Sequence, residues 1–165
     1  MARPPRAPSF SYLGIQRYLL TVCTHQRHPW FADGRHAREL SAQISPFFVE
    51  RQFEVLAYCV MPDHVHLLLE GTSNGADLRQ ALPAWKQSTG YAFRVRYGHR
   101  LWQPGYHDRV LRDGDDTRWV VGYLLQNPVR AGLVRTPQEY AWMGSSRFTI
   151  ADLEAHAGEW APPWR

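Results

Sequence analysis

The chain is 165 residues long, with 19 Lys and Arg against 15 Asp and Glu, a formal net charge of +4. That length suffices for one domain with a buried core, and the basic excess, carried almost wholly by arginine, suits phosphate partners without requiring them. Cys23 and Cys59 each sit in an apolar run, which argues for buried thiols and against a disulfide framework or a cysteine zinc cluster; no run reaches membrane-spanning length and the start lacks a signal-peptide core, so a cytoplasmic protein with no membrane partner is expected.

The opening "MARPPRAPSF" is rich in Pro and Arg, and residues 1–15 are expected to be a flexible basic arm, followed by one domain over 16–150 and a C-terminal tail over 151–165. "QRYLLTVCTH" (16–25) reads as a strand and "QRHPWFADG" as a turn. Over 35–52 the spacing of Ala37, Leu40, Ile44 and Phe47 or Phe48 predicts a helix that Pro46 bends or divides. "FEVLAYCVM" (53–61) and "HVHLLLEG" (64–71) read as two strands joined through Pro62 and Asp63. Residues 76–98 return to helical spacing, "GYHDRVLR" (105–112) is a short strand, and a helix is predicted from Asp116 to about Gln126, ending before Pro128. The order β-α-β-β-α-β plus a further helix predicts an α+β fold, a ferredoxin-like split βαβ sandwich with a mostly antiparallel sheet and helices packed on it. In that topology the first and third strands are central.

Within "YCVMPDHVHLLLE" (58–70), strand alternation puts His64, His66, Leu68 and Glu70 on one face and Val65, Leu67 and Leu69 on the other. The second face suits a core. The first carries two imidazoles able to grip a metal, although the bare spacing also fits a hydrogen-bonded core histidine beside a surface one. A histidine-triad nucleotide hydrolase would need a third histidine where Leu68 stands. Glu70 reads either as support for the histidines or as a solvated strand end. In "YLLQNPVRAGLV" (123–134), Tyr123 and Asn127 share one helix face with Trp119 a turn earlier, a spacing that equally fits a packed aromatic. The segment 79–112 interleaves aromatics with Lys86, Arg94, Arg96, Arg109 and Arg112, a pattern suited to tracking a nucleic-acid backbone while rings stack on unpaired bases, or to an ordinary amphipathic helix. His25, His28 and His107 could also stand near the histidine pair, with surface roles the alternative.

The motif "VMPDHVHLLLE" resembles the His-hydrophobic-His signature of the HUH single-tyrosine transposases, and "LWQPGYHDRVLR", "VVGYLLQNPVRAGLV" and "YAWMGSSR" resemble their REP-associated tyrosine transposase branch. The likeness runs in order from about Tyr18 to Arg147. It implies the ferredoxin-like fold, metal ligands at His64, His66 and Asn127, a nucleophile at Tyr123, and single-stranded DNA beside a palindromic hairpin as substrate. It also implies a monomer more than a homodimer.

Residue chemistry agrees with that implication. A phenol is a weak nucleophile at neutral pH, so a divalent cation is wanted to polarise an anionic phosphodiester, and two imidazoles plus an amide leave the cation's charge open to phosphate. Oxygen donors from substrate and water suit Mg²⁺ or Mn²⁺, with Zn²⁺ left open. The expected function is metal-dependent cleavage and rejoining of single-stranded DNA through a 5′-phosphotyrosine. The alternatives are an HUH replication-initiator nickase, which usually carries further domains, and a domesticated hairpin-binding protein without catalysis, which has no need of a nucleophile.

Overall fold

Five strands, β1 (Arg17–Cys23), β2 (Phe53–Met61), β3 (His64–Gly71), β4 (His107–Leu111) and β5 (Met143–Gly144), form one sheet of order β4-β1-β3-β2-β5 in a computed structural model that describes residues 11–112 and 117–158. Every neighbouring pair is antiparallel, so β1 and β2 run the same way with β3 inserted between them, the split βαβ arrangement the element order predicts. The predicted spans of β2 and β3 coincide with the observed ones. β2 alternates between buried and half-buried residues up to Tyr58, whereas β3 is buried on both faces over most of its length.

Among the described residues four α-helices cover the sheet: α1 (Gly34–Glu50), α2 (Leu78–Tyr97), α3 (Thr117–Arg130) and α4 (Ile150–Ala157). On one face Tyr18, Leu20, Val22, Val65, Leu67 and Leu69 pack with Ile44 and Phe48 of α1 and Leu82 and Trp85 of α2. On the other, Ala57, Cys59 and Leu68 pack with Val120, Val121, Leu124 and Leu125 of α3 and Leu153 of α4. Each such aliphatic side chain contributes about 1.5–3 kcal/mol by leaving water. A one-residue slip of β3 would exchange Leu67 and Leu69 for His66 and Leu68 across the two cores, so the register is held from both sides.

Several expectations need correcting. Pro46 does not divide α1, because it sits on an exposed face where the carbonyl it leaves unbonded meets solvent. Likewise α3 does not end before Pro128. Pro128 is buried in the last turn, and the chain leaves the helix at Gly132, whose φ of 71° supplies the left-handed residue that closes a helix C-terminus. The predicted start at Asp116 lies outside the described residues.

The predicted tail contains α4, with a capping box in which the Thr149 side chain accepts from Asp152 N and Asp152 accepts from Thr149 N, and Leu153 buried in the second core. Of the predicted arm, residues 1–10 lie outside the described residues, whereas Tyr12 is buried, stacks on Tyr18 at 6.0 Å and donates its hydroxyl to Asp108 at 2.8 Å. Two-residue β5 is too short to show a strand pattern in sequence. Among the described residues no helix is long and apolar enough to cross a membrane.

Candidate active site

His64 and His66 begin the central strand β3, flanked in register by Cys23 and Thr21 of β1 and by Met61 and Cys59 of β2. Their Nε2 atoms stand 3.1 Å apart, with ring planes at 82°. Each Nδ1 has a partner: His64 Nδ1 lies 2.6 Å from Asp63 Oδ1, and His66 Nδ1 lies 2.9 Å from Thr21 Oγ1. The second oxygen of Asp63 meets Arg27 Nε at 2.9 Å, and Arg27 Nη1 donates to Cys23 Sγ at 2.8 Å. Gln26 and Arg27 both take positive φ, 54° and 56°, a conformation non-glycine residues rarely adopt, and this turn aims Arg27 at the carboxylate.

Burial sets the charge state. His66 is 6% exposed, and its pKa is pushed down to about 3, first by burial and then by the neighbouring His64. His64 is also lowered by burial, against the opposing pull of Asp63. Both imidazoles are therefore neutral near pH 7, the form that ligates a cation.

Helix α3 supplies the other half. Tyr123 meets His66 edge to face with ring centroids 5.8 Å apart, and it stacks on Trp119 at 5.7 Å with planes 10° apart. The Arg130 guanidinium lies 5.6 Å from the Tyr123 ring centroid. Asn127 Nδ2 donates to the Tyr123 carbonyl at 3.0 Å, so Oδ1 is the amide atom not engaged in that bond. The half-exposed Tyr123 thus sits where α3 crosses the histidine face.

A divalent cation fits this donor set. Two ligands about 2.1 Å from one ion stand roughly 3.0 Å apart at an octahedral edge and roughly 3.3–3.4 Å at a tetrahedral one, and the two Nε2 atoms are 3.1 Å apart. Among the described residues no three His, Cys, Asp or Glu side chains are arranged to hold a metal.

The basic residues expected to meet a partner are divided by the sheet. Arg109 is exposed on β4 and pairs in register with Leu19, so it shares the histidine face, and exposed Arg112 follows directly after β4. Lys86, Arg94 and Arg96 belong to α2, which covers the opposite face. Lys86 Nζ donates to the carbonyls of Gln103, at 2.8 Å, and Gly105, tying α2 to the loop before β4, and Arg96 pairs with Glu39 at 2.8 Å. Glu70 pairs with Arg17 at the far end of β3 and serves as a strand end. There the histidine face opens into a cleft of about 680 Å³ lined by Arg17, Glu70, Arg118, Arg147 and His156.

Four contributors escape motif reading: Thr21, Arg27, Asp63 and Arg130. Thr21 was reachable from strand phase, since β1 alternates and must pair with β3. Asp63 adjoins the motif and Arg130 stands two helical turns after Tyr123 on α3, whereas Arg27 arrives through a turn. His107 is the register partner of Thr21 and is exposed on the same face, while His25 and His28 lie in and after the turn that carries Arg27.

Comparison with known proteins bears on the family and the fold. The REP-associated tyrosine transposase of Escherichia coli (strain K12) is 26% identical over 91 residues, 55% of this chain and 53% of that protein. A Haemophilus influenzae protein provisionally given the same name is 26% identical over 113 residues, 61% of this chain and 64% of its own. The chain thus spans less than two thirds of either relative. A solved REP-associated tyrosine transposase bound to a REP hairpin shares the fold, with a TM-score of 0.73 at 21% identity over 98% of this chain and 92% of that one. The family model described as "Transposase IS200 like" matches residues 15–124, more than half of the chain and including His64, His66 and Tyr123; the protein belongs to the IS200-like transposase family.

Proposed function

We propose that this transposase cleaves and rejoins single-stranded DNA next to a palindromic hairpin, with Tyr123 as nucleophile and His64, His66 and Asn127 holding a Mg²⁺ or Mn²⁺ ion. The observation that carries the reading is Tyr123 set edge-on to the neutral His66, whose Nε2 converges with that of His64. The hairpin partner is taken from the relative solved with a REP hairpin, which matches this fold over nearly its full length.

The bound cation would polarise the scissile phosphate and stabilise charge developing on its oxygens, a contribution of several kcal/mol. Tyr123 Oη loses its proton and forms a bond to phosphorus while the bond to the 3′ oxygen breaks; that oxygen takes up a proton and leaves as a 3′-hydroxyl. The strand's energy is conserved in the 5′-phosphotyrosine, so attack by a 3′-hydroxyl reverses the step and joins strands without ATP. Trp119 and Arg130 hold the phenol ring from two sides, which limits the orientations it can sample before attack. Arg109, exposed on the histidine face, is positioned to meet the DNA backbone.

The test is incubation of the protein with labelled single-stranded DNA carrying a short palindrome, with and without Mn²⁺. A covalent protein–DNA adduct that appears only with the metal supports the reading. Hairpin binding without an adduct would make the protein a binder that has kept the fold and lost the reaction.

A further inference from the structure

Tyr123, Asn127 and Arg130 fall on one stripe of α3, with Arg130 in the last turn of the helix. The Arg130 guanidinium lies over the Tyr123 ring, 5.6 Å from its centroid. This arginine is exposed, and it makes no ion pair among the described residues, whereas Arg27, on the histidine side of the site, is committed to Asp63 at 2.9 Å. A cation–π contact consumes no N–H donor, so the donors of the Arg130 fork stay available. The ordinary role of a basic residue here is to face the carbonyl end of its helix. That role needs only a charge, and it does not account for a guanidinium laid over one particular tyrosine.

The reaction proposed above builds negative charge beside this side chain. As the phenol oxygen gives up its proton and bonds to phosphorus, charge gathers on the non-bridging oxygens of the phosphate, and a cation fixed there favours the transition state over the ground state. The phenol oxygen sits at the rim of the ring that Arg130 covers. Charge-assisted N–H···O bonds span roughly 2.7–2.9 Å, so an exposed guanidinium 5.6 Å from the centroid reaches oxygens attached at that rim by a change of rotamer. We propose that Arg130 is a catalytic residue of the cleavage step, binding the non-bridging oxygens of the scissile phosphate from the tyrosine side and holding the 5′-phosphotyrosine once it forms. It keeps its own proton throughout, because a guanidinium is not deprotonated in proteins. The proposal rests on Tyr123 as the nucleophile.

The test uses the full chain in two arms. In the first, adduct formation is followed over a single turnover at saturating DNA and Mn²⁺. Arg130→Ala should slow it about 100-fold or more, the loss typical of removing one donor to a developing oxyanion, and Arg130→Lys, which keeps the charge without the fork, should fall between. The second arm needs no cleavage. In a Tyr123→Phe background, Arg130→Ala should weaken binding several-fold for a hairpin whose flanking strand carries the scissile phosphate, and leave binding of the hairpin alone unchanged. Replacing that phosphate by an uncharged methylphosphonate should erase the difference. Adduct formation at the wild-type rate in Arg130→Ala, with or without a lower melting temperature, leaves Arg130 as a partner of the helix end and overturns the proposal. So does unchanged binding in the second arm, a loss that persists on the methylphosphonate, or a loss already present with the hairpin alone. These outcomes remove Arg130 and leave Tyr123 in place, whereas a wild type that forms no adduct removes the nucleophile and the role of Arg130 with it.

Discussion

The ring of Tyr123 meets the imidazole of His66 edge to face, with centroids 5.8 Å apart and planes at 69°. One residue comes from a central strand and the other from a helix laid across the sheet, so their meeting is a property of the tertiary structure. Tyr123→Phe keeps this ring contact and the stack on Trp119 while removing the only atom able to form a phosphotyrosine. On a denaturing gel with labelled single-stranded DNA and Mn²⁺, the variant should form no adduct, and its unfolding free energy should change by no more than roughly 0.5–1.5 kcal/mol. An adduct that persists would move the nucleophile to another tyrosine.

Replacing either histidine separates chemistry from fold. His64→Ala and His66→Ala should both lose Mn²⁺ binding and DNA cleavage, with hairpin affinity kept within about twofold, since binding energy in such complexes comes chiefly from basic contacts to phosphate. The two differ in stability. His66 is 6% exposed, and its removal leaves a cavity beside Cys59 and Thr21, costing roughly 1–3 kcal/mol, whereas half-buried His64 costs less. Denaturant unfolding of the two variants decides it.

The partition of arginines across the sheet predicts unequal effects on hairpin binding. Arg109→Ala, on the histidine face, should weaken binding several-fold and reduce the slope of log affinity against log salt by about 1. Arg94→Ala, on α2 over the opposite face, should change neither. The reverse outcome, read by titration at several salt concentrations, would place the DNA surface on α2.

Tyr18 gives a pH dependence with a definite sign. Burial, then Tyr12 and Asp77, raise its pKa from 10.0 to about 12, and its buried hydroxyl has no hydrogen-bond partner among the described residues. Because the folded value lies above the unfolded one, the contribution is fully present below pH 10 and is lost as pH rises through 12, with on the order of 1 kcal/mol gone by pH 11. Tyr18→Phe should cost little at pH 7 and flatten this alkaline fall, as measured by unfolding between pH 8 and 11. A fall of the same depth in the variant would assign it to other tyrosines.

Alternation and helical spacing determined the strands at 53–61 and 64–71, the split βαβ order and the face on which His64 and His66 lie, because side-chain period is a local property of the backbone. Motif order determined the family, and the pairing of Tyr123 with Asn127 on one helix face needed only their spacing. Helix ends were less legible: Pro46 and Pro128 read as breaks, yet solvent beside one and core packing around the other let the helices run through. Only the tertiary structure decided that α3 crosses the histidine face, that Thr21 and Asp63 hold the two imidazoles from opposite ends, and that Arg109 stands on that face while Lys86, Arg94 and Arg96 stand behind the sheet. These depend on strand register and on which face each helix covers, and both follow from burying two cores at once, which no local pattern records.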